Sequence, residues 1–372
     1  MLNERESLEK IIIREIEQKG PIPFRDFMEI SLYYPQLGYY TSGNNRIGIN
    51  GDYYTSPWLS SVLGEMLARQ FEEMWVLLGK EDFTIVEFGG GDGTLCRDIL
   101  SQLKNNPELY DKLHYHIVEK KGRLRDDEKK QVPGILSWHE TADEIGPIKN
   151  GCVLSNELLD NLSISLVVMQ DELMEVFVDY NNGFVETLKP ADSKLKEYLA
   201  QLNVRLPYGF RTEINLEAIE WIRKVAAILE KGFVLTIDYG CHSAELYSTA
   251  RSEGTLVCYH RHQVNFSPYQ HIGKQDITTH VNFSALQHWG MQNGLECCGF
   301  TSQANFLLGL GLTSHLQQKE MKSKTKSLSP SGKALMVHTF LAGMGRKFKV
   351  LIQNKGLPKP RLSGLQFSLP HF

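Results

Sequence analysis

Thr84-Ile85-Val86-Glu87-Phe88-Gly89-Gly90-Gly91-Asp92-Gly93-Thr94-Leu95 is the stretch whose reading decides the fold. Thr84 to Phe88 is a short apolar run suited to a buried parallel strand. It carries Glu87 near its end and passes into the spacing Glu87-x-Gly89-x-Gly91-x-Gly93. Beyond it Leu95, Ile99, Leu100 and Leu103 recur at helical spacing. A strand, a glycine turn and a helix N-terminus make a nucleotide-type cradle, because glycine permits the turn and lets a ligand approach the backbone. The competing reading is a glycine-rich turn that only reverses the chain.

The chemistry of the turn narrows the ligand. A dinucleotide loop reads G-x-G-x-x-G and seats a pyrophosphate at the helix N-terminus. Here the glycines alternate, and Thr94 stands where the third glycine would be. Glu87 and Asp92 make the cradle acidic, which repels a pyrophosphate and suits a cation. S-adenosylmethionine (SAM) carries a sulfonium and an ammonium with no phosphate, so it is the expected cofactor. A nicotinamide-dependent dehydrogenase is the rival that the acidic turn disfavours.

Outward from the cradle, 372 residues with 42% hydrophobic and 23% charged content supply a large core. A net charge of −4 gives no general affinity for nucleic acid. No apolar run approaches the roughly 18 residues of a transmembrane helix, so no membrane insertion is expected. Met1 to Glu17 reads as an amphipathic helix without the look of a secretory or transit peptide. The six cysteines form no C-x-x-C pair. Both features point to a cytoplasmic protein with reduced thiols.

Residues 1–80 read as an N-terminal helical extension, broken by a loop near the cofactor at 34–57, and 81–372 as the core. Candidate strands at 84–88, 114–119, 134–138, 151–156 and 232–238 alternate with helices at 94–104, 121–131 and 215–230. This predicts an α/β fold with a mostly parallel sheet. Residues 297–301 and a hairpin near 334–353 complete it. Insertions interrupt the rhythm at about 163–212, with a hairpin over 165–188, and at 240–293. The second is rich in His, Tyr, Gln and Gly and reads as a lid facing the substrate. Its histidines lack the close spacing of a zinc site, and no metal is expected.

Three further strand ends carry acids or amides. Glu119 ends the second strand, where a carboxylate can accept both ribose hydroxyls. The fourth strand runs into Ser155-Asn156-Glu157-Leu158-Leu159-Asp160. On a helix Glu157 and Asp160 share a face and can hold a guanidinium in fork geometry. The alternative is a helix start capped by Asn156; for Asp160 the two readings stand level. Asp238 ends the fifth strand, as a loop anchor or a direct participant. Asp276 and His280 can share one face of a turn.

These stretches, with Gly51-Asp52-Tyr53-Tyr54-Thr55-Ser56-Pro57, Ile237-Asp238-Tyr239-Gly240, Asp276 to His280 and Met344-Gly345 before Phe348-Lys349-Val350, occur in one order. In that order they resemble the MidA-type family of SAM-dependent methyltransferases over roughly residues 8–355. The resemblance implies a class I methyltransferase fold, Rossmann-like with seven strands, an N-terminal helical extension and lid-like insertions. Eukaryotic members methylate an arginine of a respiratory complex I subunit, so the resemblance implies a protein substrate, such as a respiratory-complex subunit. Carried over by motif, Glu87, Gly89, Gly91 and Gly93 hold the methionine part of SAM and Glu119 the ribose. Thr55 and Ser56 border the cofactor beside Asn156. Glu157 faces the acceptor as catalytic residue, assisted by Asp160 or His280. The chain departs from the family at Gly90, Asp92 and Asn282, where proline, a basic or amide residue and aspartate are common. The rival class is a non-catalytic assembly factor that keeps the fold as a docking platform.

Overall fold

The computed structural model describes residues 7–42, 61–119, 135–322, 341 and 343–368. Along the chain the strands are β1 (Ile22–Pro23), β2 (Phe83–Phe88), β3 (Leu113–Val118), β4 (Leu136–His139) and β5 (Gly151–Asn156). Then come β6 (Ser165–Met169), β7 (Leu173–Tyr180), β8 (Phe184–Pro190), β9 (Arg211–Ile214) and β10 (Gly232–Cys241). The last are β11 (Val257–His260), β12 (Gln263–Asn265), β13 (Asp276–Thr278), β14 (Val281–Asn282), β15 (Glu296–Ser302) and β16 (Phe348–Lys355). The helices that shape the site are α1 (Leu8–Lys19), α2 (Phe24–Tyr33), α3 (Val62–Leu77), α4 (Thr94–Leu103), α5 (Leu216–Ile228) and α6 (Phe283–Gln292).

The main sheet runs β15-β16-β10-β5-β2-β3-β4, with the two-residue β14 pairing beside β10. Neighbours from β10 to β4 are parallel, and β16 is antiparallel to both of its neighbours. The mixed seven-strand path therefore agrees with the α/β reading. The alternating side chains of each strand feed two cores. Ile85, Cys152, Leu235 and Ile352 face α3 and α4, while Val86, Val153, Val234 and Leu351 face α5 and α6.

The sheet is so closely drawn at β10 and β5 that Gly232 sits at φ +140°, where an added Cβ would lie 2.0 Å from the Gly151 carbonyl oxygen. Gly232→Ala is expected to cost about 1–3 kcal/mol through forced backbone movement. A denaturant midpoint unchanged from the parent would contradict this.

Sequence and structure differ in the insertions. The 165–188 hairpin is part of a larger five-stranded sheet in which β9 pairs with β6 and β1 pairs with β7, Ile22 opposite Val178. The N-terminal segment is thus stitched to the first insertion. Its apolar residues Ile12, Phe24, Phe27 and Leu32 share a core with Ile164, Val176 and Ile277. Within 240–293, β12-β11-β13 form an ordered antiparallel sheet. The predicted helix at 121–131 and most of the loop at 34–57 lie outside the described residues.

Candidate active site

The cradle forms because three residues at the end of β2 take the left-handed conformation: Gly89 at φ +71°, Gly91 at +57° and Gly93 at +76°. The turn is tied down by Gly89 N–H to Val118 O at 2.9 Å and Gly93 N–H to Gly90 O at 2.9 Å. Asp92 Oδ1 accepts from the Thr94 N–H at 2.9 Å, so this acid secures the first turn of α4. Glu119 Oε2 accepts the Gly91 N–H at 3.0 Å, which joins the ends of β2 and β3. Behind the turn Glu87 is 2% exposed and accepts from the Tyr115 hydroxyl at 2.8 Å. Burial pushes its carboxyl up to about 7, against the lowering effect of that hydrogen bond and with help from Glu119 and Asp92.

Above the cradle lies a cavity of about 400 Å³. Its lining includes Gly89, Glu119, Asp143, Glu157, Tyr40 and Trp221. Among the described residues, six carboxylates line it (Glu119, Glu140, Asp143, Glu157, Glu217, Glu220) against the one ammonium of Lys224. Such a field repels a pyrophosphate and attracts a sulfonium and an ammonium. At Gly91 nothing lies within 4 Å of an added Cβ, so the backbone is open to close approach. The residues present therefore fit SAM.

The turn after β5 is not α-helical. Glu157 has φ +53°, an uncommon conformation for a residue with a side chain. It leads into a single 3-10 turn over Leu159–Asn161. Asp238 imposes this shape: its Oδ2 accepts from the N–H groups of Leu158 and Leu159 at 3.2 and 2.8 Å, and its Oδ1 from Tyr239 N–H at 2.8 Å. Asp238 is thus the anchor of the loop. Glu157 is left in the cavity wall, with Asn156 Nδ2 donating to its Oε1 at 3.3 Å. Asp160, read with it on one helical face, is instead buried beneath at 6% exposure.

His280 stands apart. It lines a different cavity, with Arg211, Arg251 and Glu253, and Arg251 Nη1 lies 2.9 Å from its Nδ1. A guanidinium only donates, so His280 Nδ1 accepts and the proton sits on Nε2. Burial, then Arg251, pulls its pKa down to about 4. Asn282, at the position of the family's aspartate, caps α6 by accepting from Ala285 N–H at 3.2 Å. Thr55 and Ser56 lie outside the described residues.

Three parts of the wall escaped the sequence reading. Tyr33 and Tyr40 stack with ring centroids 5.5 Å apart; Tyr33 donates to Asn161 and Tyr40 to Asp276. Glu140 and Asp143 follow β4, where a capping box, Thr141 with Glu144, was the available signal. Glu217, Glu220 and Trp221 come from the first turns of α5, spaced for one face.

Fold and cradle together define a SAM-dependent methyltransferase. The family model for S-adenosyl-L-methionine-dependent methyltransferases matches residues 66–301, and the chain belongs to that family. A COG1565 superfamily member from Burkholderia thailandensis, solved bound to S-adenosyl-homocysteine, superposes with a TM-score of 0.85 at 31% identity, covering 97% of this chain and 95% of that one. The protein arginine methyltransferase NDUFAF7 homolog, mitochondrial, of Drosophila melanogaster is 28% identical, over 94% of this chain and 85% of its own length. The human protein arginine methyltransferase NDUFAF7, mitochondrial, is 27% identical, over 95% and 84%. These names overturn the cytoplasmic expectation: the relatives are mitochondrial, and thiol usage and an unremarkable N-terminus do not identify a compartment.

Glu87, expected from the motif to hold the cofactor's ammonium, would give the site a pH dependence. Only its ionised form can pair with an ammonium, while below about 7 the free protein carries a proton there. Binding then expels a proton, so affinity for S-adenosylhomocysteine is expected to rise about tenfold per pH unit up to about 7 and level off above it. The sign for stability is opposite. A carboxyl raised in the fold makes the ligand-free protein lose stability as pH climbs from its unfolded value through about 7. Glu87→Gln should flatten the affinity profile; a wild-type profile already flat between pH 5.5 and pH 7 would refute the pairing.

Proposed function

We propose that this methyltransferase modifies a guanidinium nitrogen of an arginine in a protein acceptor, with a respiratory-complex subunit as the target to test first. The names of the Drosophila and human relatives support arginine as acceptor. The observation that carries the reading is the group of carboxylates around the turn after β5, where Glu157 lines the cavity and Asp160 is buried close to Asp238 and Asp276. A cluster of that kind suits a planar cation with several donors.

Glu87, the Gly89–Gly93 turn and Glu119 hold SAM, with Thr55, Ser56 and Asn156 bordering it. When bound, SAM supplies a methyl group on a sulfonium, open to in-line attack. Glu157 holds the guanidinium and accepts the proton that the attacking nitrogen loses. The sulfur released from such a donor would leave neutral, so no acid among these residues would be needed. Tyr33, Tyr40 and Trp221 wall the cavity and keep water from the reacting atoms, so alignment supplies much of the rate. Asp160, buried within electrostatic reach of Glu157, is the remaining candidate assistant, and His280, neutral in its separate cavity, is assigned no part.

The test is tritium transfer from labelled SAM into extracts of cells lacking the protein, followed by acid hydrolysis and mass spectrometry of respiratory-complex subunits. Label in methylarginine is the expected result. Label in methyl-lysine, or in a small molecule alone, would reject arginine as acceptor.

A further inference from the structure

Tyr33 ends α2, and the chain then doubles back so tightly that only glycine fits at position 38. A Cβ added there would lie 2.5 Å from Tyr34 N and 2.7 Å from Leu32 O. The Tyr40 N–H donates to Leu32 O at 2.9 Å. This return lays the Tyr40 ring on that of Tyr33, centroids 5.5 Å and planes 21° apart. Tyr39 closes edge-on against Tyr40 at 5.0 Å and 83°. Both hydroxyls of the stacked pair are engaged. That of Tyr33 donates to the turn after β5, 2.8 Å from Asn161 Oδ1 and 3.0 Å from Asn161 O. That of Tyr40 donates to Asp276 Oδ1 at 2.8 Å, and Asp276 is itself buried. Both tyrosines line the acidic cavity, and with their hydroxyls tied they meet it as ring. Tyr40 is buried and Tyr33 half-buried, so Tyr33 is the outer ring of the pair.

We propose that Tyr33, backed by Tyr40, is the aromatic face on which the acceptor's guanidinium stacks, and that this pair sets the preference for arginine over lysine. This rests on the arginine reading and names the residues that would enforce it. The carboxylates of the wall draw in any cation and cannot rank two of the same charge. An aromatic face can. A guanidinium is flat and weakly hydrated and lies against a ring, whereas the lysine ammonium is compact and keeps its water. Donation from each phenol to an oxygen moves electron density toward the ring and strengthens its attraction for a cation. Position favours the acceptor over the cofactor. Tyr33 is bonded to Asn161 of the 3-10 turn that follows Glu157. Trp221, also in the wall, packs edge-on against Phe88 at 5.8 Å and 87°, next to Gly89 of the cradle. Asn161 and Asp276, which fix the two phenols, are positioning residues of this face.

The experiment is a proton NMR titration of the full chain saturated with S-adenosylhomocysteine. The titrants are N-acetyl-arginine amide, N-acetyl-lysine amide and N-acetyl-citrulline amide, the last flat but uncharged. The expected result is binding of the arginine compound about tenfold tighter than either of the others. Its side-chain methylene signals should move upfield, as those of protons above a ring face do. Tyr33→Leu should remove the preference while S-adenosylhomocysteine affinity stays within about twofold, and Tyr33→Phe, which keeps the face, should retain it. Preferred arginine uptake without the upfield movement, or a preference that survives Tyr33→Leu, overturns the stacking and leaves arginine as the acceptor class. A preference lost equally in Tyr33→Phe assigns the effect to the hydroxyl and overturns the stacking too. No uptake by the wild-type protein at tens of millimolar, or lysine bound equally well, overturns the arginine reading and this inference with it. Because the upfield movement is read on the wild-type protein, a variant that fails to fold does not shelter the proposal.

Discussion

Glu157→Gln is expected to lower methyl transfer by at least about 10²-fold, the usual size of a general-base contribution, while S-adenosylhomocysteine binding stays within about twofold. The change is nearly isosteric, and the backbone that holds residue 157 at φ +53° is fixed by other groups, Ile237 O and Asp238. The fold should therefore survive. The amide can no longer take a proton from the attacking nitrogen, and it pairs less well with a guanidinium. Single-turnover rates at saturating acceptor separate these losses: a defect confined to KM would make Glu157 a binding group only. Full kcat in the variant would remove Glu157 from the chemistry altogether.

The second large effect is at the cradle. Gly89→Val is expected to weaken S-adenosylhomocysteine binding by at least about 100-fold, equivalent to roughly 2.7 kcal/mol. Gly89 lines the cavity at φ +71°, a conformation that a β-branched residue resists. Its new Cβ would lie 2.8 Å from Leu158 Cδ1. The leucine tip can give way only by moving, and Leu158 is itself part of the cavity wall. The substitution therefore strains the turn and narrows the site at once. Thermal melting with and without ligand checks the result: a parent-like ligand-induced rise in Tm would show that the turn does not approach the cofactor.

The glycine cradle was legible because its signals are local. Glu87, the alternating glycines and Glu119 lie at ends of strands whose apolar runs stand out, and parallel strands end at one edge of a sheet. The turn after β5 and the cavity wall around it were less legible because they are built from distant segments. Glu157 was found from its position after β5, but its left-handed turn depends on Asp238, some eighty residues later, and no local spacing reports that. The helical premise that put Asp160 beside it failed for the same reason. Tyr33 and Tyr40 reach the cavity only because β1 pairs with β7 and α2 packs on the first insertion, a tertiary event without a short-range signature. His280 was drawn in by its neighbourhood in sequence with Asp276, yet Asp276 is buried against Tyr40 while His280 lines a separate cavity with Arg251.

β16 enters the sheet between β10 and β15, although it is made from residues 348–355. A nascent polypeptide emerging from the ribosome therefore cannot finish this sheet until residue 355 has been made, long after β10 has left the ribosome. Until then the flanks of β10 and β15 present unpaired N–H and C=O groups, the template on which strands from other molecules add. A premature stop just before residue 348 would thus leave a sheet with a gap between β10 and β15 rather than a shortened end. The product would retain every candidate catalytic side chain and still be a substrate for chaperones and proteases.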